Sequence, residues 1–397
     1  IPQKERLKVV QLVQGPLLSN LVHNEFIILK VVETYIDNYI LIYFNSSNTY
    51  LILDTQTYPF YKTFKLNIKK HEYIDALDKS YPINLKTSFF NTFTDLSKKT
   101  NASDPFLVKN NIEIISNNSK FIQVFDQALQ IRYDSIKALN TVYEKFSHLE
   151  TTSKRFDETL MVCSDNSGYF LKNKKKTAWH WDDKNIHLFQ GKFTFELLNC
   201  IHNKKETEWL GTFHASTVGN GKEAIMLVGN SGSGKSTLSS LLMFSGYDLI
   251  ADDVTPMLGE NNHIYVLPAA ISVKEKSFEA IKPFVKDFDK LPALYVNETK
   301  GHQKFIPPKP LKNLNQLDYP CRNIVLVRYS HKPIKTTLKK GDIKIILEEL
   351  ISESWLSHSE LHAKSFIKWL SKISFHELRY HHSNEAISVF NNLIPLV

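Results

Sequence analysis

Nine consecutive residues carry the clearest chemistry in the chain: Gly229, Asn230, Ser231, Gly232, Ser233, Gly234, Lys235, Ser236 and Thr237. Together they satisfy G-x-x-x-x-G-K-[ST], the pattern of a loop built to wrap phosphate. Its glycines let the backbone turn N–H groups inward with no side chain in the way. Lys235 is spaced to reach the β- and γ-phosphates, and Ser236 to offer its hydroxyl to Mg²⁺. A helix starting at the loop would add its positive dipole end. The expected ligands are ATP, or a similar nucleoside triphosphate, and Mg²⁺.

Two acids follow closely. The short run TLSSLLMF (237–244) stops near Gly246 and leads into YDLIADD, a strand ending in Asp252 and Asp253. One short helix therefore returns the chain beside the loop, at the edge where α/β proteins bind ligands. Neighbouring residues at a strand end point in different directions. One acid can then hold Mg²⁺ while the other takes a proton from an incoming hydroxyl. Upstream, GTFHASTV and EAIMLV flank the polar turn GNGKE, which predicts a hairpin carrying His214 toward the phosphates. On pattern alone His214 serves equally well as an edge-strand histidine.

His214, GNSGSGKS (229–236) and LIADD (249–253) together resemble the catalytic domain of HPr kinase/phosphorylase and its wider group of P-loop kinases. That group includes peptide serine kinases and is related in fold to ATP-dependent phosphoenolpyruvate carboxykinase. The resemblance spans about 155–395. It implies Asp252 as general base, Asp253 as a metal-site acid beside Ser236, and His214 by the transferred phosphate. Two departures point away from HPr itself as the acceptor. Thr237 stands where the family carries Glu, and the stretch IYVLPAAISVKEKS (264–277) lacks an Arg- and Gly-rich signature.

These residues need a scaffold. The expected fold is an α/β P-loop kinase domain of the HPr kinase/phosphoenolpyruvate carboxykinase type over 151–397, preceded by a smaller α+β domain over 1–150. In the first part FIILKVV (26–32), YILIYF (39–44) and TYLIL (49–53) read as meander strands, followed by a polar, helix-poor stretch to about 116. Apolar residues from Phe121 to Phe146 recur at three and four, which predicts one long amphipathic helix. This module suits acceptor recognition by strand addition. A support for folding, or for dimerisation into a homo-oligomer, is the alternative. TLMVCS, GYFLKN and TAWHW continue as strands, IVLVRY (324–329) as a buried strand, and 343–356, 357–373 and 385–394 as helices.

Bulk properties restrict the classes further. With 397 residues, 42% hydrophobic, the chain can bury two cores. Cys163, Cys200 and Cys321 form no CxxC pair, which argues against disulfides and zinc and for a reducing compartment. No apolar run approaches the roughly 20 residues of a membrane span, and the expected location is the cytoplasm. The net charge of +8 is diffuse and accompanied by no nucleic-acid module, so nucleic acid is disfavoured as a partner. Lys274, Lys300 and Lys304 could clamp a phosphate, although solvated lysines are the plainer reading. His180 is lone, and His381–His382 lack metal-ligand spacing.

The function expected is a kinase moving the γ-phosphate of ATP to a hydroxyl, such as serine on a peptide, protein or small molecule. One alternative is a carboxykinase-like phosphoryl transferase acting on a small carboxylic acid. It would need a Mn²⁺ set of His, Lys and Asp plus an Arg. Another is a non-catalytic ATP-binding regulatory module.

Overall fold

The computed structural model describes residues 10–12, 31–98, 106–108, 118–174, 177–297 and 301–396. Its centre is the strand Ala224–Val228, buried at all five positions. It pairs antiparallel with Ser216–Gly219 and parallel with Asp318–Tyr329, which pairs parallel with Ser374–Tyr380. The expected hairpin is present. Asn220 closes it by accepting from the amides of Lys222 and Glu223, and Gly221 takes φ +96.

A strand buried on both faces needs no alternation. Ile225 and Leu227 face the helix Lys235–Phe244, while Met226 and Val228 face the helices Ile343–Ile351 and Glu360–Leu370. Asp248–Ala251 pairs with Ser216–Gly219 on the outer side, so the acids that follow it arrive near the loop. The beginning of Asp318–Tyr329 also pairs with His263–Tyr265, extending the sheet to ten strands.

Three expectations for the first half need correction. The stretch 53–116 is not helix-poor: it contains Tyr58–Phe64, Lys70–Ala76 and Ile83–Leu96. Phe60, Tyr61, Phe64, Phe89 and Phe93 supply helical spacing and pack together in one aromatic core. The long helix over 121–146 is instead two strands, Asn118–Val124 and Gln127–Tyr133, then the helix Ile136–Tyr143. Phe125 breaks the run in the left-handed region (φ +53), and the buried residues Ile122, Val124, Leu129 and Ile131 alternate. Such a pattern also satisfies a three-and-four count, which is how the two periods are confused.

The division expected at 150 falls inside a sheet. Gln127–Tyr133 pairs parallel with Glu158–Asp165, in a five-stranded sheet with Gly168–Asn173 and Ala178–Trp181. The preceding four-stranded sheet (Val10–Leu12, Val31–Ile36, Tyr39–Phe44 and Thr49–Asp54) is not separate either. Ile40, Ile42, Leu51 and Leu53 face its own helices. Leu41, Tyr43, Tyr50 and Ile52 lie in the core that contains Phe366 and Leu347. Tyr50 meets Phe366 edge to face at 5.5 Å. The expected strand at 26–32 is described from residue 31 onward, and its first residues lie outside the described ones.

His202 ties two of these layers together. Its Nε2 lies 2.8 Å from the Val266 carbonyl, and its ring meets Trp209 and Tyr265 edge to face. Burial pulls the imidazole down to about 4, outweighing the Val266 carbonyl and Asp318. The folded pKa lies below the unfolded one, so unfolding takes up a proton. Stability is full above about 6.5 and falls toward pH 4, by about 3 kcal/mol at most. Denaturant midpoints of His202→Gln should therefore change less between pH 7 and pH 4.5 than those of the wild-type chain. Equal pH dependence would remove this role.

Candidate active site

The loop 229–236 follows from strand, glycines and helix in sequence. Gly229 adopts φ +142, and a Cβ there would lie 2.9 Å from Ser233 Oγ and 3.0 Å from the Val327 carbonyl. Gly234, at φ +100, lies flat against Tyr329 and Tyr380. The loop is tied to the next strand by the Tyr329 amide, which donates to the Ser233 carbonyl at 3.1 Å. Asn230, Ser231 and Gly232 form its exposed tip.

Lys235 is buried, and its ammonium donates to the carbonyls of Gly229 and Asn230. Burial holds its pKa below the usual lysine value, against the pull of Asp252, Asp253, Glu349 and Glu353. Four acidic charges from two regions far apart in sequence thus act on this ammonium. Glu349 comes from Ile343–Ile351, and burial raises its own pKa.

The two aspartates diverge. Asp252 is buried, with Oδ1 accepting from Ser216 and, at 3.1 Å, from Ser236. Burial raises its pKa, and the neighbouring charge of Asp253 adds to this. Its Oδ2 is buried without a hydrogen-bond partner. Asp253 takes a left-handed backbone (φ +69), which aspartate tolerates better than most residues, and turns the other way. Its Oδ1 lies 3.2 Å from His214 Nδ1 and its Oδ2 accepts from Lys145 at 2.7 Å. The resemblance implied Asp253 as the acid beside Ser236; the hydroxyl of Ser236 donates to Asp252.

The residues present fit Mg²⁺. Ser236 Oγ and the Asp252 carboxylate are oxygen donors side by side, and the unpartnered Oδ2 is a buried acceptor. Among the described residues no cluster of three or more His, Cys, Asp or Glu could hold a metal. Mg²⁺ does not require one, because it is usually held by one or two carboxylates together with substrate phosphates.

Lys145 had no signal in the sequence. It lies in the helical turn Glu144–Leu149, and its own carbonyl accepts from the Ala270 amide at 2.7 Å. Burial would lower the pKa of its ammonium, but the Asp253 charge and hydrogen bond outweigh that and raise it. Thr237 Oγ1 donates to Ser277 at 2.8 Å, and Lys274 donates to Ser231 at 3.0 Å. Lys304 is buried, and caps the carbonyls of Phe288 and Leu291, away from the loop. Lys300 lies outside the described residues. His180 stacks on Phe170 and meets Ser167. Among the described residues no helix is long and apolar enough to cross a membrane.

No protein-family model matches the sequence, and no curated protein does. Among solved structures, the Hpr(Ser) kinase/phosphatase from Coxiella burnetii matches 46% of this chain and 89% of its own, at 13% identity and a TM-score of 0.23. That relationship is distant. A likeness of this size carries no argument about activity.

Proposed function

We propose that the chain is a Mg²⁺-dependent kinase that moves the γ-phosphate of ATP to a hydroxyl of a peptide, protein or small molecule. The observation that carries this reading is the convergence on one loop of Lys235, the Ser236–Asp252 pair and the Asp253–His214 pair. In this reading the loop amides and Lys235 hold the β- and γ-phosphates. Ser236 and Asp252 hold Mg²⁺, which when bound neutralises charge between those phosphates. Asp253, more open to solvent and paired with His214, receives the proton of the attacking hydroxyl. Lys145 keeps that carboxylate oriented. The allotment of roles differs from the one the resemblance implied because burial and the Ser236 contact both belong to Asp252.

One observation favours a second reading. Lys145, His214 and Asp253 supply the His, Lys and Asp of a carboxykinase-like Mn²⁺ set. The arginine such a site needs is lacking in Arg328, which is engaged with Glu377 at 3.0 Å. Incubation with γ-labelled ATP and panels of serine peptides, free hydroxyl compounds and small carboxylic acids separates the readings. Label on a hydroxyl supports the kinase. Label on acids alone supports the second, and ATP binding with no transfer to any class leaves a regulatory module.

A further inference from the structure

On the far side of the loop from the aspartates lies a group of rings that the proposed chemistry does not use. The sheet order sets Asp248–Ala251 to one side of Ala224–Val228 and the ends of Asp318–Tyr329 and Ser374–Tyr380 to the other. Those two ends carry Tyr329, His331 and His381. Tyr329 is 39% exposed, so its ring is open to a ligand. It packs against Gly234 and its amide holds the loop at Ser233. The His381 ring lies nearly parallel to it, with centroids 6.2 Å apart and planes at 15°. His381 is fixed in turn by Nδ1, 2.8 Å from the Ser330 carbonyl. His331 meets Tyr329 edge-on at 5.2 Å.

We infer that this aromatic step, Tyr329 with His381, is the stacking surface for the purine base of the bound nucleoside triphosphate. The inference rests on the phosphate-loop reading. A triphosphate whose terminal phosphate faces Asp252 runs across the loop, and its nucleoside leaves on the Tyr329 side. An exposed flat ring held to the loop backbone, with a half-buried ring parallel to it, suits a base, because every base has a π-face and gains from stacking. The Glu385 carboxylate, which interacts with His381 and His382, stands on this side, so the step favours an uncharged heterocycle over a further anion.

Calorimetric titrations with ATP and with inorganic tripolyphosphate, both with Mg²⁺, test this. Tyr329→Ala should weaken ATP by roughly 5- to 150-fold, the range for one base on an aromatic side chain. Tripolyphosphate should bind as before, and Tyr329→Phe should retain ATP affinity. His381→Ala supplies a second measurement, with a smaller loss for ATP alone. Unchanged ATP affinity in both alanine variants overturns the inference. Equal losses for ATP and tripolyphosphate also overturn it, since Tyr329 would then act by shaping the loop. If wild-type protein binds tripolyphosphate but prefers ATP by nothing, the stacking site fails and the phosphate loop stands. If it binds neither, the parent reading fails with it.

Discussion

Lys235→Ala should abolish transfer and sharply weaken ATP binding while leaving the fold intact. No other residue from Gly229 to Thr237 is positively charged, so the substitution removes the loop's one cation. Its ammonium is buried against loop carbonyls and feels the charges of four acids. Without it the triphosphate faces Asp252, Asp253, Glu349 and Glu353 with loop amides, Mg²⁺ and the more peripheral Lys274, which reaches Ser231. The loss in turnover should reach at least about 10²–10³-fold, the scale of removing one preorganised donor at developing charge. The fold should survive because the lysine is desolvated and one of the two carbonyls it bonds, that of Asn230, lies on the exposed loop tip within reach of water. ATP titration by calorimetry alongside near-ultraviolet circular dichroism checks both halves. Equal ATP affinity in the two proteins would remove the phosphate-loop assignment.

Asp253→Asn should keep ATP and Mg²⁺ binding but lower transfer by about 10²–10⁴-fold, the usual contribution of a positioned base. Asparagine keeps the size and removes the basic oxygen, leaving Lys145 and His214 without their carboxylate. Asp252→Asn should instead raise the Mg²⁺ concentration needed for half-maximal rate, because its carboxylate sits on Ser236. Transfer measured across a Mg²⁺ series distinguishes the two. If excess Mg²⁺ rescues Asp253→Asn and not Asp252→Asn, the roles are reversed. If neither variant loses activity, the kinase reading fails.

Much of the loop 229–236 was legible in the residues. The apolar run Ala224–Val228, the glycines and the following helix are local features, each decided by neighbours a few positions away. The hairpin before the loop was legible for the same reason: Gly221 and Asn220 make the turn themselves. The first half was read less well. Its strands Asn118–Val124 and Gln127–Tyr133 imitate helical spacing, and the turn that separates them rests on Phe125, not on a glycine or proline.

The chain alone determined that a glycine-rich loop, a helix and a pair of acids would follow one another in space as in sequence. Tertiary structure decided which acid faces the loop and what faces the other. Asp252 and Asp253 are adjacent and chemically alike, and strand geometry says that they diverge without saying which goes where. Burial beside Ser216 and a left-handed turn at Asp253 make that choice. Lys145 reaches Asp253 from the helical turn Glu144–Leu149, and Tyr329 and His381 meet at the ends of two parallel strands. Such meetings depend on strand order and on which faces are buried. Those are properties of the whole packed core, and no window of neighbouring residues contains them.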